Sequence, residues 1–274
     1  MTIFLLIILA AVISLCTYAR YEYGNIKVKN LSLKAEDKGL SGIKIVFASD
    51  FQYDLSAERR NTTNTKLFQK AIDMILEQKP DLILLGGDVS TYSANLYEAV
   101  PFLSQLSAPL GVYSVFGNHD YFVRKRLVEA LPNIKFLEDE EAIVHYKDTH
   151  LSIFGVEDLR WRKKNKKPAE IPEKNGYRIL LSHQPDYFEL FSQEQRDRMD
   201  LMLCGHTHGG MVTFFGLFGF PPIVNHVTAY GEEYRYGENE SERGRIYTTS
   251  GLGGQSIIFP MRFACAPEIL VLEN

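Results

Sequence analysis

Cysteine is scarce in this chain: three residues in 274, at Cys16, Cys204 and Cys265. No pair stands at zinc-knuckle spacing, and three scattered thiols make no disulfide framework. Cys16 lies in an apolar leader, Cys204 directly precedes a Gly-His-Thr-His run on an expected buried strand, and Cys265 has no evident partner. Any metal must therefore be held by His, Asp and Asn. Basic charge is short as well: 30 Lys and Arg face 34 Asp and Glu, for a formal net charge of -4. That balance excludes a general binder of nucleic-acid backbones, and no nucleic acid is expected as a partner. The basic cluster Arg160-Trp161-Arg162-Lys163-Lys164 is a local contact surface at most. Repeats and low-complexity tracts are missing too. With 45% hydrophobic and 23% charged residues, what remains is ordinary globular usage around one large core.

Charged side chains are absent from Met1 to Ala19, a stretch rich in Leu, Ile and Ala. It approaches the roughly 20 apolar residues that span a bilayer. A secretory signal carries Lys or Arg ahead of its apolar run, and none stands here; Ala10-Ala11 and Thr17-Tyr18-Ala19 make a poor cleavage site. A retained single-pass membrane anchor over residues 1–20 is therefore expected ahead of a cleaved signal. Arg20, Lys27 and Lys29 follow the run, so the positive-inside rule places the remainder in the cytoplasm. An anchored domain facing outward is the alternative.

Residues 21–42 are expected to form a connector and first-strand region, polar around Lys29 to Ser41, ahead of a domain over 43–274. Ile43 to Ala48 reads as a buried strand that ends where Asp50 appears. Leu67, Phe68, Ala71, Ile72, Ile75 and Leu76 repeat at helical spacing, so a helix is expected from Thr63 to Gln78, closed by Pro80. A strand at Asp81 to Leu85, a helix at Asn95 to Leu106 and a strand at Gly111 to Phe116 continue an α/β plan with polar residues at the strand ends. The second half is richer in strands: Ile143 to Tyr146, Leu151 to Phe154, Arg178 to Leu181, Leu201 to Cys204, Ile246 to Thr249 and Ile269 to Leu272. Two packed sheets flanked by helices account for this pattern. Trp161 to Glu173 is expected as a basic loop, and Gly231 to Arg243 as a polar, mobile one.

Short polar signatures follow these strands in order: Asp50-Phe51-Gln52, Gly87-Asp88, Gly117-Asn118-His119-Asp120, Ser182-His183 and Gly205-His206-Thr207-His208. Singly each is weak, because an Asp after a strand usually caps a helix or forms a turn. Together they bring carboxylate, amide and imidazole groups to one rim, the ligand set with which two divalent cations hydrolyse phosphate esters. No serine or cysteine has a convincing triad setting.

With these segments the chain resembles the calcineurin-like metallophosphoesterase superfamily, whose pattern runs Asp-x-His, Gly-Asp, Gly-Asn-His-Asp/Glu, His, Gly-His-x-His. Ser250-Gly251-Leu252-Gly253, Arg262-Phe263 and Ala266-Pro267-Glu268 look like its small membrane-associated bacterial phosphodiesterase branch. The resemblance spans Ile43 to Leu272 and implies a four-layer αββα sandwich, two packed mixed sheets flanked by helices, with a dinuclear site at the carboxyl edge. It implies that Asp50 and His208 bind the first metal, that Asn118, His183 and His206 bind the second, and that Asp88 bridges both. His119 would protonate or stabilise the leaving oxygen, with Asp120 orienting its imidazole, while a hydroxide bridging the metals attacks phosphorus.

Gln52 departs from the pattern, standing where a histidine is expected. A neutral amide oxygen is harder than imidazole, so the first site should lean toward manganese or magnesium over zinc, with iron also open. Manganese-dependent ADP-ribose and CDP-alcohol diphosphatases look similar here, with Asp-x-Gln-Tyr resembling Asp50 to Tyr53. The expected activity is hydrolysis of a phosphodiester or pyrophosphate bond, with lipid or membrane-proximal phosphate esters as candidate substrates. A phosphomonoesterase or protein phosphatase on the same metal core is the alternative, and a non-catalytic membrane-tethered scaffold a further one. Phe214 to Ile223, beside the metal histidines, either contacts lipid or folds as a buried hairpin with glycine turns. His145 and His150 read as surface or structural residues and Arg262 as a packing or ion-pair residue; His226 stands where it could reach substrate.

Overall fold

The computed structural model describes residues 1–53, 65–91, 96–163, 166–254 and 262–274. Thr63 and Asn95, the expected first residues of two helices, and Lys164 of the basic cluster lie outside them. Helix α1 (Thr2–Tyr23) is apolar all round, with mean hydropathy 2.5, and 6% of its most apolar window is buried. At 1.5 Å per residue it is about 33 Å long, enough by length and composition to cross a bilayer. Its last turns differ from the rest, because Ala19 and Tyr23 are buried against the body of the protein.

Alternation of side chains explains the layers. In β2 (Ile45–Ala48) and β3 (Leu82–Leu85) every residue is buried, as in parallel strands covered on both faces. Ile45, Phe47, Leu82 and Leu84 point into the space between the sheets, while Val46, Ala48, Ile83 and Leu85 face helices. Those helices are α2 (Thr65–Glu77) and α3 (Leu96–Leu103), with α4 (Arg124–Ala130) beyond. On α2 the buried Leu67, Phe68, Ala71, Ile72 and Ile75 form the predicted stripe. Each of the larger side chains, the Leu, Ile and Phe, contributes about 1.5–3 kcal/mol on burial.

The first sheet runs β1 (Lys27–Ser32), β14 (Glu268–Glu273), β2, β3, β4 (Val112–Ser114), β5 (Ile134–Phe136). It is parallel except where β14 meets β2. The second runs β12 (Gly237–Ser241), β13 (Gly244–Thr248), β9 (Leu201–Cys204), β8 (Tyr177–Ser182), β7 (Thr149–Gly155), β6 (Glu140–Tyr146), antiparallel only at its two outer pairs. Ile179, Leu181, Leu201 and Leu203 meet the first sheet; Leu180, Met202 and Ile246 turn outward under Tyr187, Phe188 and Phe191. This outer layer is thin, a 3-10 turn at Pro185–Leu190 and the short α5 (Gln193–Arg196).

The first-strand region expected within residues 21–42 holds β1, an edge strand that buries Leu31 alone and takes in the start of the polar stretch. Two expectations are corrected. Gly231 to Arg243, expected as a mobile loop, holds a 3-10 turn at Gly231–Tyr234 and strand β12. Both strands escaped the apolar pattern because an edge strand needs a hydrogen-bonding neighbour more than an apolar face. The Phe-rich run forms the hairpin β10 (Thr213–Phe214) and β11 (Phe218–Gly219), followed by α6 (Pro221–Val227). Its phenylalanines are exposed, so the buried version of the hairpin is wrong.

Candidate metal centre

The parallel strands of both sheets end at one rim, and the predicted residues lie just past those ends. Asp50 and Gln52 follow β2, Asp88 follows β3, Asn118 to Asp120 follow β4, His183 follows β8, and His206 and His208 follow β9. Strand ends are where backbone turns away and side chains can converge from several elements at once. The turns are tight. Asp50 (φ 53°), Gln52 (47°), Asp88 (53°), His206 (68°) and His208 (52°) all adopt left-handed backbone conformations. Such strain in non-glycine residues persists only when surrounding structure enforces it, and it gathers at functional sites. Glycine permits the close approach: a Cβ on Gly117 would lie 2.0 Å from Asp88 Oδ1, and one on Gly205 2.3 Å from Asp50 Oδ2.

Four groups meet at one point. His183 Nδ1 lies 2.7 Å from the Gly86 carbonyl, which can only accept, so Nδ1 carries the proton and the neutral ring presents a bare Nε2. Around that Nε2 stand Asn118 Oδ1 at 3.2 Å, His206 Nδ1 at 3.2 Å and Asp88 Oδ2 at 3.3 Å. Lone pairs facing one another repel unless a cation sits among them. Neighbouring ligands around an octahedral ion at 2.0–2.1 Å are themselves about 3 Å apart. The donor atoms of Asp88, His183 and His206 all lie within 4.8 Å of one another.

A second group adjoins it. His208 Nε2 is 3.6 Å from Asp50 Oδ1 and 3.0 Å from the Gln52 amide nitrogen. Asp50 Oδ1, Gln52 Oε1 and His208 Nδ1 are buried with no hydrogen-bond partner among the described residues. Unpaired buried polar atoms are costly, and a cation beside His208 Nε2 would satisfy the Asp50 and Gln52 oxygens. A half-turn of the Gln52 amide brings its oxygen to the Nε2 of His208, so the amide can take the place of the expected imidazole.

Electrostatics agree with this donor set. Burial alone would lower the pKa of His183, but the Asp88, Asp50 and Asp158 carboxylates push it well above its usual value. Without a metal ion that field favours a proton on Nε2, and a divalent cation held there would displace it and leave the ring neutral. Burial and His183 push His206 down to about 3, and burial lowers His208, leaving both rings neutral with lone pairs to give. Burial opposes ionisation of Asp88, yet the adjacent His183 and His119 imidazoles hold its carboxyl well below the usual range. The residues present fit divalent cations.

His119 stands beside this group rather than in it. Its Nδ1 lies 3.1 Å from the Thr91 carbonyl, and its Nε2 is 3.9 Å from Asp88 Oδ2, with the side chain 31% exposed. Asp120 was expected to orient that imidazole, and here the structure differs. The Asp120 carboxylate accepts the backbone amides of Asp88 (2.7 Å), Gly117 (2.9 Å) and Val89 (3.0 Å). It ties two ligand loops together, and Thr91 orients the ring. The cause is burial: Asp120 is wholly enclosed, where its oxygens need every available donor. Burial and the Asp88 charge push its pKa up to about 7, against the pull of those amides.

Sequence reasoning missed four supporting residues. Thr91 acts through its carbonyl, which no side-chain pattern reports. The Trp161 indole donates to the Asn118 carbonyl at 2.8 Å. Asp158, buried just past β7 with its pKa pushed up to about 6 by that burial, repeats the strand-end placement of Asp50 and was findable on that ground. Arg235 donates to the Gly209 carbonyl at 2.7 Å, next to His208. Arg262, fully buried, has no carboxylate partner among the described residues; it donates to the carbonyls of Ser250 (2.7 Å), Gly251, Gly253, His208 and Cys265. His226 is exposed on α6, and His145 and His150 pair across β6 and β7.

The chain is similar to known proteins over most of its length. Residues 43–210 match the family model for calcineurin-like phosphoesterase. The chain is 34% identical over 240 residues to phosphodiesterase YaeI of Escherichia coli (strain K12), covering 84% of this chain and 81% of that protein. It is 29% identical over 277 residues to YkuE of Bacillus subtilis (strain 168), an uncharacterised metallophosphoesterase, covering 93% and 87%. A transmembrane protein with a metallophosphoesterase domain from Danio rerio is 28% identical over 262 residues, covering 89% of this chain and 56% of that one. The signatures that supply these converging ligands, Asp50 to His208, fall inside the matched segment, and this chain is a member of the calcineurin-like phosphoesterase family, whose enzymes use a dinuclear divalent metal centre.

Proposed function

We propose that this protein is a membrane-anchored hydrolase of phosphodiester or pyrophosphate bonds, with a lipid or membrane-proximal phosphate ester as substrate. The observation that carries the reading is the convergence of Asn118, His206 and Asp88 on the bare Nε2 of His183, with the His119 Nε2 facing the same space. Similarity to a protein named a phosphodiesterase supports the diester class. The apolar α1 supports the anchor, and the basic residues after it favour a cytoplasmic catalytic domain.

Asp50, Gln52 and His208 would hold one cation, and Asn118, His183 and His206 the other, with Asp88 between them. When bound, two divalent ions supply Lewis acidity that neutralises phosphoryl charge and lowers the pKa of water. Manganese suits a site in which the Gln52 amide replaces imidazole, ahead of magnesium, iron or zinc. His119 is the proton donor: with Nδ1–H held by the Thr91 carbonyl, a proton on Nε2 passes to the departing oxygen. Asp120 keeps the His119 and Asp88 loops in register and touches no substrate.

Rates on bis-p-nitrophenyl phosphate and p-nitrophenyl phosphate, measured with manganese, test the reading. Preference for the diester supports it, and preference for the monoester transfers the site to phosphomonoester chemistry. Purified protein that takes up no divalent ion would point to a scaffold.

A further inference from the structure

The exposed hairpin around β10 and β11 and helix α1 belong to one surface. Phe214 to Phe220 contains no polar side chain. Phe214 (56%), Phe215 (75%), Leu217 (75%), Phe218 (48%) and Phe220 (56%) are largely open to solvent, a concentration of apolar surface that soluble faces rarely carry. Its base joins α1 through residues 262–265. The Phe263 carbonyl accepts the Thr213 amide at 2.9 Å, while its ring meets Tyr18 of α1 edge-on at 5.2 Å. The Arg262 amide donates to the Ala19 carbonyl at 3.1 Å. Thus the apolar helix leaves the body of the protein where the hairpin protrudes.

Four backbone donors of the hairpin are paired within the protein. The Gly216 amide donates to the Thr213 hydroxyl at 2.9 Å, Leu217 to the Phe214 carbonyl at 3.0 Å, Gly219 to Glu232 at 2.8 Å and Phe220 to the Val212 carbonyl at 3.1 Å. Backbone donors paired internally are what a lipid environment demands. Aromatic side chains beside exposed Lys27 and Lys29 match the composition of a membrane interface. A seven-residue hairpin is far smaller than the roughly 20–30 residues per side of a stable protein interface.

We propose that the Phe214–Phe220 hairpin inserts into the lipid interface beside α1, as a second membrane contact that sets the metal rim at the bilayer surface. Arg235 carries the link to the site, because its guanidinium donates both to Gly209, next to His208, and to Gly216 in the hairpin turn, at 2.7 and 3.4 Å. The inference rests on reading α1 as a membrane-crossing helix, and it is independent of which phosphate bond is cut.

The test uses full-length protein in phosphatidylcholine vesicles with brominated acyl chains. Trp161 is the chain's sole tryptophan and gives the background emission. Leu217→Trp and, separately, Leu9→Trp add a probe at the hairpin and in α1. Loss and blue shift of the added Leu217→Trp emission in bromolipid are expected. Quenching of Leu9→Trp alone overturns the hairpin contact and leaves the anchor; quenching of neither overturns both. Blue shift without quenching, together with cross-linked dimers, overturns lipid as the occupant in favour of a second copy. Because fluorescence is the readout, a negative result in the diester assay leaves this outcome unaffected.

Discussion

The backbone amide of Asp88 donates to the Asp120 carboxylate at 2.7 Å, and the amide of His119 donates back to the Asp88 carboxylate at 2.9 Å. Each acid therefore holds the other's loop. The reciprocal pair fixes the spacing between a metal ligand and the proton donor using two side chains that are almost wholly buried.

Asp120→Asn replaces one acceptor oxygen with a donor and leaves at least one amide of the Asp88 and Gly117 loops unpaired. A loss of about 1–3 kcal/mol is expected, with weaker metal retention. Thermal melts and metal analysis measure both. Unchanged stability with an altered pH–rate profile would instead return Asp120 to the role of orienting His119.

His119→Ala should retain metal, since this ring is not among the converging ligands. Turnover should fall about 10²–10⁴-fold, the usual contribution of general acid catalysis. Full turnover in a metal-loaded variant would remove His119 from the mechanism.

Gln52→His should shift activation from manganese toward zinc, because imidazole is the softer ligand. Activity titrations with each ion read this directly. An identical metal profile in both proteins would show that Gln52 is no ligand.

Away from the site, Glu189 gives a pH prediction. Burial alone would raise its pKa, but the Tyr234 hydroxyl and the Arg196 and Arg243 guanidiniums hold it below the ordinary 4.5. A depressed folded-state pKa adds stability above the unfolded value and loses it as pH falls through the folded one. Glu189→Gln should therefore be less stable than the parent near neutrality, with the gap closing below the ordinary pKa. Urea midpoints across that range decide it; a gap that persists in acid would exclude the ionic account.

The buried strands were legible because apolar runs such as Leu201–Cys204 leave little choice, and the site residues were legible because polar groups follow those runs at once. Edge strand β12 was not, since its residues are polar and only its pairing with the adjacent β13 makes it a strand; for β1 the partner, β14, lies at the other end of the chain, so a first strand was expected within residues 21–42 without its bounds or its neighbour. The roles of Thr91 and Asp120 were hidden for a related reason: a backbone carbonyl has no residue type, and a buried carboxylate binds whichever amides the fold delivers.

The sequence by itself determined the ligand types, their order and the apolar strands that carry them, because side-chain chemistry and periodicity are local properties. Tertiary structure decided that the lone pairs converge, that Gln52 meets His208, that Asp120 clamps loops and that the Phe-rich hairpin stands outside beside α1. Those outcomes depend on which strand ends the two sheets bring together, and no stretch of chain carries that distance within itself.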